Sequence, residues 1–254
     1  MEAQVSRLVD KVWDRYLKTP ADMRVMIAIA GIPGSGKTHL AHAVAVGLNK
    51  KAGIAPTGQK DGADANGSPQ DVAIAVPMDG FHLTRAQLAA MPDPETAFAR
   101  RGAAFTFDGA AFTAVVESLR APIKQGDSSP PPPPSLLLPA FDHAVKDPVA
   151  DQIAVGPRQR IVLFEGNYVC LDKAPWNRAA SPAYMDERWF VEVDFAVARK
   201  RLIRRHVAAG IAANEAEAAK RADENDLLNG AEIVANKVSP IDETIFSQED
   251  ASWA

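Results

Sequence analysis

The sequence has little cysteine and no long apolar run. Cys170 is the single cysteine among 254 residues, which excludes an internal disulfide and disfavours both a thiolate zinc site and a secreted disulfide scaffold. No stretch approaches the roughly 20 consecutive apolar residues that a membrane-spanning helix needs. The first residues are too charged for a signal peptide. We therefore expect a cytoplasmic protein with no membrane partner.

Basic residues are not in excess either. The chain has 28 Lys and Arg residues against 32 Asp and Glu residues, which gives a formal net charge of −4. A chain with this net charge lacks the overall positive potential with which proteins bind nucleic acids, so we expect no nucleic-acid partner. Hydrophobic residues make up 47% of the chain, which is enough for the core of one domain of ordinary size.

Apolar patterning predicts an α/β protein. Apolar residues at helical spacing predict an N-terminal helix that ends near Thr19, and the unbroken apolar run from Val25 to Ala30 predicts a strand buried on both faces. Further strands are predicted at 72–76, 135–138, 161–164 and 189–193, and helices near 38–49, 84–90, 108–120, 196–209 and 214–228. This alternation is typical of a three-layer α/β/α sandwich around a mostly parallel sheet. We divide the chain into an N-terminal helix (1–24), one domain (25–240) and a C-terminal tail (241–254).

Two segments interrupt the alternation. Residues 52–71 contain several glycines and prolines with hardly any large apolar residue, which predicts a flexible insert. Residues 124–134 form a second insert that ends in five consecutive prolines, Pro130 to Pro134. Such a run favours a polyproline II rod, which acts either as a stiff spacer or as a docking site for an SH3- or WW-type partner.

A glycine-rich loop follows the strand at 25–30. It reads Gly31-Ile32-Pro33-Gly34-Ser35-Gly36-Lys37-Thr38, a match to G-x-x-x-x-G-K-[ST] between a predicted strand and a predicted helix. Glycines let backbone N–H groups approach phosphate oxygens, Lys37 adds positive charge at the β and γ phosphates, and the Thr38 hydroxyl can bind magnesium. We predict a P-loop NTPase fold in which this loop, together with His39, binds ATP with Mg²⁺.

Other motifs favour a kinase of a small molecule. Signalling GTPases read guanine with an N-K-x-D element, and the nearest match, Asn236-Lys237-Val238-Ser239, lacks the aspartate. Asp79 follows the second predicted strand, where a carboxylate could accept the proton of an attacking hydroxyl. The alternative for Asp79 is a turn residue before Gly80.

An acidic residue and an arginine cluster follow later in the chain. Glu165 ends the strand at 161–164, as the magnesium-associated acid of a Walker-B element does, and a structural salt bridge is the competing interpretation. Arg201, Arg204 and Arg205 share one face of the helix predicted at 196–209. The cluster either pairs with acids such as Glu215 and Glu217 or lies over the transferring phosphates as a helical lid.

These motifs, in this order, resemble those of the phosphoribulokinase and uridine kinase family of P-loop kinases over roughly residues 25 to 238. The matching segments are the loop at 31–38, Met78-Asp79-Gly80-Phe81-His82-Leu83, Arg101-Gly102 with Phe105-Thr106-Phe107-Asp108, Pro139-Ala140-Phe141-Asp142-His143, Glu165-Gly166-Asn167-Tyr168 and Arg201-Leu202-Ile203-Arg204-Arg205-His206.

The resemblance implies specific roles for several residues. It implies that Asp79 is the base toward the acceptor hydroxyl and that Glu165 and Thr38 hold magnesium. Catalysis then also uses Lys37, Arg201 and Arg204, and Arg205 joins them at the ATP phosphates. The residues expected at the acceptor are Asp79, His82, Arg85, Arg101, Asp142 and Tyr168. Uridine kinases typically carry D-S-F-Y where this chain reads Asp79-Gly80-Phe81-His82, so the two acceptor pockets differ.

The expected function is ATP- and Mg²⁺-dependent phosphoryl transfer to a hydroxyl of a small nucleoside-like or sugar-like metabolite. His82, Arg85 and Arg101 could then read sugar hydroxyls or an anionic substituent, or they could make ordinary structural pairs. The alternatives are a P-loop ATPase or nucleotide-dependent switch without an acceptor, and a scaffold that binds ATP only for stability. The resemblance also makes a homodimer plausible.

Overall fold

The computed structural model describes residues 1–54, 68, 70–123 and 136–249. Most of the first predicted insert, 52–71, and all of the second, 124–134, lie outside the described residues, and so does the proline run. The two inserts and their partners therefore stay predictions.

A five-stranded parallel sheet forms the centre of the structure. Its strands, in spatial order, are β2 (Ala73–Pro77), β5 (Ile161–Gly166), β1 (Val25–Gly31), β6 (Glu187–Glu192) and β7 (Glu243–Phe246). Every pairing between neighbouring strands is parallel. All residues of β1 and β5 are buried, which explains why these two strands read as unbroken apolar runs in the sequence.

Helices cover both faces of this sheet. The helices of the described residues are α1 (Glu2–Lys18), α2 (Lys37–Lys51), α3 (Arg85–Ala89), α4 (Pro94–Ala99), α5 (Gly109–Arg120), α6 (Trp176–Ala179), α7 (Phe195–Ala208), α8 (Glu215–Arg221) and α9 (Leu227–Ala235). Leu8 of α1 and Leu48 of α2 are buried against Ile27 on one face. Phe112 of α5 lies in the core of the opposite face with Ala28. The predicted three-layer α/β/α sandwich is confirmed.

A separate antiparallel hairpin, β3 (Leu136–Asp142) and β4 (Asp147–Val155), corrects one strand prediction. The strand predicted at 135–138 does not join the central sheet, and β4 was not predicted at all. Residues 149–152 of β4 are all exposed, so the strand lacks the apolar alternation that would have revealed it. The hairpin packs on the 3₁₀ turn Met78–Phe81 that follows β2.

Gly80 is required where the hairpin crosses this turn. A Cβ atom built on Gly80 would lie only 2.1 Å from the carbonyl oxygen of Pro139. Gly80→Ala is therefore expected to lower the free energy of unfolding by about 1–3 kcal/mol, because the backbone of β3 must move to make room. Urea unfolding of both proteins tests this expectation, and an unchanged midpoint would contradict it.

Strand β7 corrects the predicted end of the domain. The boundary at residue 240 falls before this strand, which pairs with β6 at the edge of the sheet. Ile245 is fully buried, and Asp242 accepts hydrogen bonds from the backbone N–H and the guanidinium of Arg188 at 2.8 and 3.0 Å. The domain therefore extends at least to Phe246.

The helix predicted at 214–228 is interrupted. Helix α8 ends at Arg221, a π-helical turn follows at Ala222–Asp226, and α9 continues from Leu227. None of the helices in the described part of the chain is long and apolar enough to cross a membrane.

Candidate active site

The glycine-rich loop joins β1 to α2 at the carboxyl edge of the sheet. Gly34 and Gly36 have positive φ angles of 79° and 89°, a conformation that glycine adopts without a steric penalty. A Cβ atom on Gly34 would also lie 2.8 Å from the carbonyl oxygen of Ala198 in α7. The loop therefore packs directly on the helix that carries the arginine cluster.

Lys37, Thr38 and Glu165 meet at the end of this loop. The parallel register pairs Glu165 with Ile29 of β1, which brings the carboxylate beside the start of α2. The Thr38 hydroxyl donates a hydrogen bond to Glu165 Oε2 at 3.1 Å, and the Lys37 Nζ atom lies 3.5 Å from the carbonyl oxygen of Ile32. The structure thus brings the predicted magnesium-binding residues into direct contact.

Burial shifts the titration of both charged groups in this cluster. Burial raises the pKa of Glu165 to about 7, although the Lys37 charge and the Thr38 hydrogen bond act in the opposite direction. Burial also lowers the pKa of Lys37, against the attraction of Glu165 and Asp79. Strong perturbation of neighbouring groups beside a glycine-rich loop is characteristic of a functional site.

Asp79 lies on the neighbouring strand end. Pro77, the last residue of β2, pairs with Glu165, and Asp79 follows in the 3₁₀ turn with an exposed side chain. Its charge acts on both Lys37 and Glu165. Lys37, Glu165 and Asp79 therefore form one cluster, and the carboxylate of Asp79 is its solvent-accessible member.

Magnesium fits the oxygen atoms at this site. Mg²⁺ prefers oxygen ligands and is usually held by one or two protein groups, water and substrate phosphates. The Thr38 hydroxyl and the Glu165 carboxylate supply two such groups. Across the described ranges, no three His, Cys, Asp or Glu residues form a cluster that could hold a metal by itself. A magnesium ion here would depend on nucleotide phosphates and water for its remaining ligands.

Helix α7 carries the predicted arginine cluster against the loop. Arg201 donates to the carbonyl oxygen of Gly34 at 3.1 Å and to the Ser247 hydroxyl at 2.9 Å, and it also contacts the Gln248 carbonyl oxygen. Arg204 and Arg205 are exposed, and the charge of Arg205 lowers the pKa values of both Lys37 and Glu165. His39 is exposed at the start of α2.

The alternative pairing predicted for the cluster is not found among the residues that the structure describes. No ion pair joins these arginines to Glu215 or Glu217, and Glu217 instead accepts a hydrogen bond from the Ala213 backbone. The arginine of α7 that pairs with an acid from the following helices is Arg199, whose guanidinium lies 2.6 Å from Asp223. Arg201 contacts the loop at Gly34, and the charge of Arg205 acts on Lys37 and Glu165, whereas phosphate binding by the cluster stays a prediction.

His82 lies next to Asp79 in the predicted acceptor region. Its Nδ1 atom is 2.8 Å from the carbonyl oxygen of Asp79, and its ring stacks 3.9 Å from the ring of Phe107 and 4.8 Å from that of Phe141. Arg85 is exposed at the start of α3. These two residues remain candidates for contact with an acceptor.

Three other predicted acceptor residues make structural contacts within the protein. Tyr168 is fully buried and its hydroxyl donates to the carbonyl oxygen of Gly102 at 2.7 Å. Asp142 accepts hydrogen bonds from the backbone of Ala144 and Val145 in the hairpin turn. Arg101 binds the Asp147 carboxylate at 2.9 Å and two backbone carbonyl groups. Each of these polar groups therefore stabilises the wall of the site, and contact with an acceptor stays a prediction for all three residues.

The π-helical turn is a part of the site that the sequence analysis missed. Asn225 accepts a hydrogen bond from Arg100 at 2.9 Å and donates to the Arg101 carbonyl oxygen at 3.1 Å. Asp226 lies 2.8 Å from His206 of α7, and its charge acts on Lys37. The turn thus links α7 to the segment that holds the hairpin. In the sequence, the turn could have been found as a run of polar residues inside a helical pattern. π-helical turns are frequent at functional sites.

Asn225→Ala is expected to lower the free energy of unfolding by about 1–3 kcal/mol. The side chain is 3% exposed, and its removal leaves buried donor and acceptor groups without partners. Asp223→Ala in the same turn is a matched control with a much smaller expected loss, because Asp223 and its partner Arg199 are exposed to solvent. Equal losses in urea unfolding would contradict the role of Asn225.

Two known proteins are similar to this chain in sequence. The ATP-dependent kinase-like protein notR' of Aspergillus versicolor is 49% identical over 168 residues, which cover 66% of this chain and 92% of that protein. A candidate uridine kinase of Schizosaccharomyces pombe is 36% identical over 232 residues, which cover 91% of this chain and 87% of that protein. The chain belongs to the uridine-kinase-like P-loop kinases. The family resemblance of the sequence is thereby confirmed.

Solved structures agree with the fold of this uridine-kinase-like protein. A candidate fructose transport system kinase from Silicibacter sp. TM1040 has a TM-score of 0.73 at 30% identity, with 94% of this chain and 98% of that chain covered. YFH7 of Saccharomyces cerevisiae, a candidate P-loop kinase with a circular permutation, has a TM-score of 0.77 at 23% identity over 97% and 99% of the two chains. The second likeness shows the fold alone. No protein-family model matches the chain.

Proposed function

We propose that this protein is an ATP- and Mg²⁺-dependent kinase that transfers the γ-phosphoryl group to a hydroxyl of a small nucleoside-like or sugar-like metabolite. The observation that carries the proposal is the single cluster of Lys37, Thr38, Glu165 and Asp79 at the carboxyl edge of the sheet. A P-loop supports ATP binding, and an accessible carboxylate beside it supports an acceptor alcohol.

Phosphoryl transfer at this site requires one proton acceptor and a set of positive charges. The acceptor oxygen attacks the γ-phosphorus, a new O–P bond forms, and the proton of the hydroxyl passes to the Asp79 carboxylate. The bond between the γ-phosphorus and the bridging oxygen breaks, and ADP leaves. Because the transition state is loose, positioning and charge neutralisation contribute more than covalent chemistry.

The loop and α7 would supply the positive charge. Lys37 and the N–H groups of the loop hold the β and γ phosphates, while Arg201, Arg204 and Arg205 approach them from α7. Thr38 and Glu165 would hold magnesium, which would offset part of the negative charge of the phosphates. Arg201 already contacts the loop at Gly34, so it also fixes the position of the helix that carries the other two arginines.

A screen of ADP release tests the proposal. Purified protein with Mg²⁺ and ATP is offered nucleosides, pentoses, hexoses, pantothenate and glycerate one at a time. The expected result is strong stimulation by one acceptor over the basal rate. If every acceptor leaves the basal rate unchanged while ATP still binds, the site belongs to an ATPase or switch without an acceptor, which is the second candidate.

Two partner predictions accompany the proposed function. The family resemblance favours a homodimer, and the proline run at 130–134 favours either a stiff spacer or an SH3- or WW-type partner. The low cysteine content supports a cytoplasmic location. Sedimentation analysis of the purified chain tests the dimer.

A further inference from the structure

Beside Asp79, the acceptor region offers a hydrogen-bond acceptor atom on His82. The carbonyl oxygen of Asp79 can only accept a hydrogen bond, so the contact at 2.8 Å requires the proton of the ring to be on Nδ1. Burial lowers the pKa of His82, which favours the neutral ring at pH 7. In that tautomer Nε2 carries a lone pair. Asp79 and His82 therefore both present groups that accept a hydrogen bond from a hydroxyl.

The aromatic rings around His82 are already occupied by side chains of the protein. The Phe107 ring contacts the His82 ring at a centroid distance of 3.9 Å with the planes tilted by 38°, and it meets Tyr168 edge-on at 5.6 Å. The Phe141 ring meets His82 at 4.8 Å, His143 edge-on at 5.2 Å and the guanidinium of Arg101 at 5.5 Å. A nucleobase gains roughly 1–3 kcal/mol from stacking on an open aromatic face. Phe107 is only 6% exposed, and the half-buried Phe141 ring already contacts three side chains, so neither phenyl ring beside His82 is free of protein contacts for a nucleobase to stack on.

This arrangement is held by backbone contacts as well as by ring packing. His82 and Phe107 form a β-bridge, and the hairpin that carries Phe141 packs tightly on Gly80. Arg101 ties the hairpin residue Asp147 to the carbonyl oxygen of Leu83. To open a ring face, a ligand would have to break several of these contacts together, at a cost that offsets the gain from stacking.

We infer that the acceptor is a small aliphatic polyhydroxy compound without an aromatic base, in which the reacting hydroxyl binds Asp79 and a neighbouring hydroxyl donates a hydrogen bond to His82 Nε2. This inference rests on the proposed function and selects the sugar-like acceptor over the nucleoside-like one. The transfer step is the one described above, and His82 takes no proton in it. His82 is thus a specificity-determining residue beside the base.

An acceptor screen in two arms tests the inference. The first arm contains ribose, ribitol, fructose, glycerol and glycerate, and the second contains uridine, cytidine and adenosine. The expected result is stimulated ADP release in the first arm only. Stimulation by a nucleoside overturns the inference and leaves the proposed kinase function intact. Absence of stimulation in both arms removes the proposed function and the inference together.

Paired substitutions test the role of His82 itself. His82→Phe keeps a ring in the stack and removes the Nε2 acceptor, so KM for the active polyhydroxy acceptor is expected to rise roughly 3- to 10-fold. We expect kcat and the KM for ATP to change much less than the KM for the acceptor, because the loop is unchanged and the carbonyl oxygen of Asp79 keeps its hydrogen bond from the His82 backbone N–H at 3.2 Å. His143→Phe is the matched control: it makes the same change on a ring that touches Phe141 but does not bind Asp79, and no parameter should move.

A deoxy acceptor separates hydrogen bonding from packing. An analogue that lacks the hydroxyl next to the reacting one should show the same rise in KM with the unmodified protein, and His82→Phe should add nothing further. If the two changes are additive, or if His82→Phe and His143→Phe behave alike, the assigned hydrogen bond to His82 Nε2 is wrong.

Discussion

Asp79→Asn is expected to lower kcat by roughly 10²-fold or more, because it removes the carboxylate proposed to take the acceptor proton. The substitution keeps the size of the side chain and its place in the 3₁₀ turn after β2. The affinity for ATP should change little, since Lys37 and Thr38 remain. ADP release in the presence of the active acceptor gives kcat, and titration with a fluorescent ATP analogue gives the affinity.

The same experiment distinguishes catalysis from structure. Asp142→Asn is a matched control, because this carboxylate caps the hairpin turn through backbone N–H groups and lies outside the reacting cluster. The control is expected to keep most of the turnover. Equal activity of Asp79→Asn and the unmodified protein would remove Asp79 from the role of base.

Glu165→Gln is expected to abolish turnover and, at the same time, to stabilise the metal-free protein at alkaline pH. Turnover should fall by roughly 10²-fold or more, because the neutral amide replaces the negative oxygen that we propose as a magnesium ligand. Without metal, ionisation of the buried Glu165 carboxylate is unfavourable, and burial raises its pKa to about 7. The stability of the Glu165→Gln variant should therefore rise, because the amide does not ionise.

The sign of this pH effect follows from proton binding. Between the ordinary pKa of glutamate and a pH of about 7, the folded protein retains a proton on Glu165 that the unfolded chain has released. The contribution of Glu165 to stability is therefore complete in acid and is lost as the pH rises through the folded pKa. At pH 8 the amide variant avoids this loss, which is worth on the order of 3 kcal/mol.

Thermal unfolding in EDTA between pH 4 and pH 8 measures this difference. Glu243→Gln provides a control of opposite sign, because the Arg7 hydrogen bond lowers the pKa of Glu243. That variant should lose stability at neutral pH and match the unmodified protein in acid. If Glu165→Gln shows the same pH dependence as the unmodified protein, the buried carboxylate is already ionised and the assigned pKa is wrong.

The central sheet and the glycine-rich loop could be predicted because each has a recognisable pattern in the local sequence. Strands β1 and β5 are buried on both faces and read as apolar runs, and the loop has a sequence pattern that few other structures produce. Asp79 and Glu165 follow strands that the sequence reveals, and their proximity follows from parallel strand order. These features depend on local sequence and on the rule that the carboxyl ends of parallel strands lie at the same edge of the sheet.

The wall of the acceptor region could not be predicted because it depends on contacts between distant segments. Strand β4 pairs with β3 and exposes most of its side chains, so its sequence lacks the apolar alternation of a half-buried strand. Arg101 and Tyr168 look like ligand-binding groups in the sequence, and only the fold shows that Asp147 and the Gly102 carbonyl bind them. The Asn225 contact joins residues that are 125 positions apart.

The edge strand β7 brings the two ends of the described chain together. Gln4 of α1 donates a hydrogen bond to the carbonyl oxygen of Phe246 at 3.1 Å, and Arg7 binds Glu243 at 2.9 Å. A short peptide could therefore join the ends while the chain is opened elsewhere, and every strand would keep its neighbours. The yeast relative with a circular permutation has this same fold. Joining the ends at this edge would leave the loop after β1 in place, because β1 pairs with β5 and β6 and not with β7.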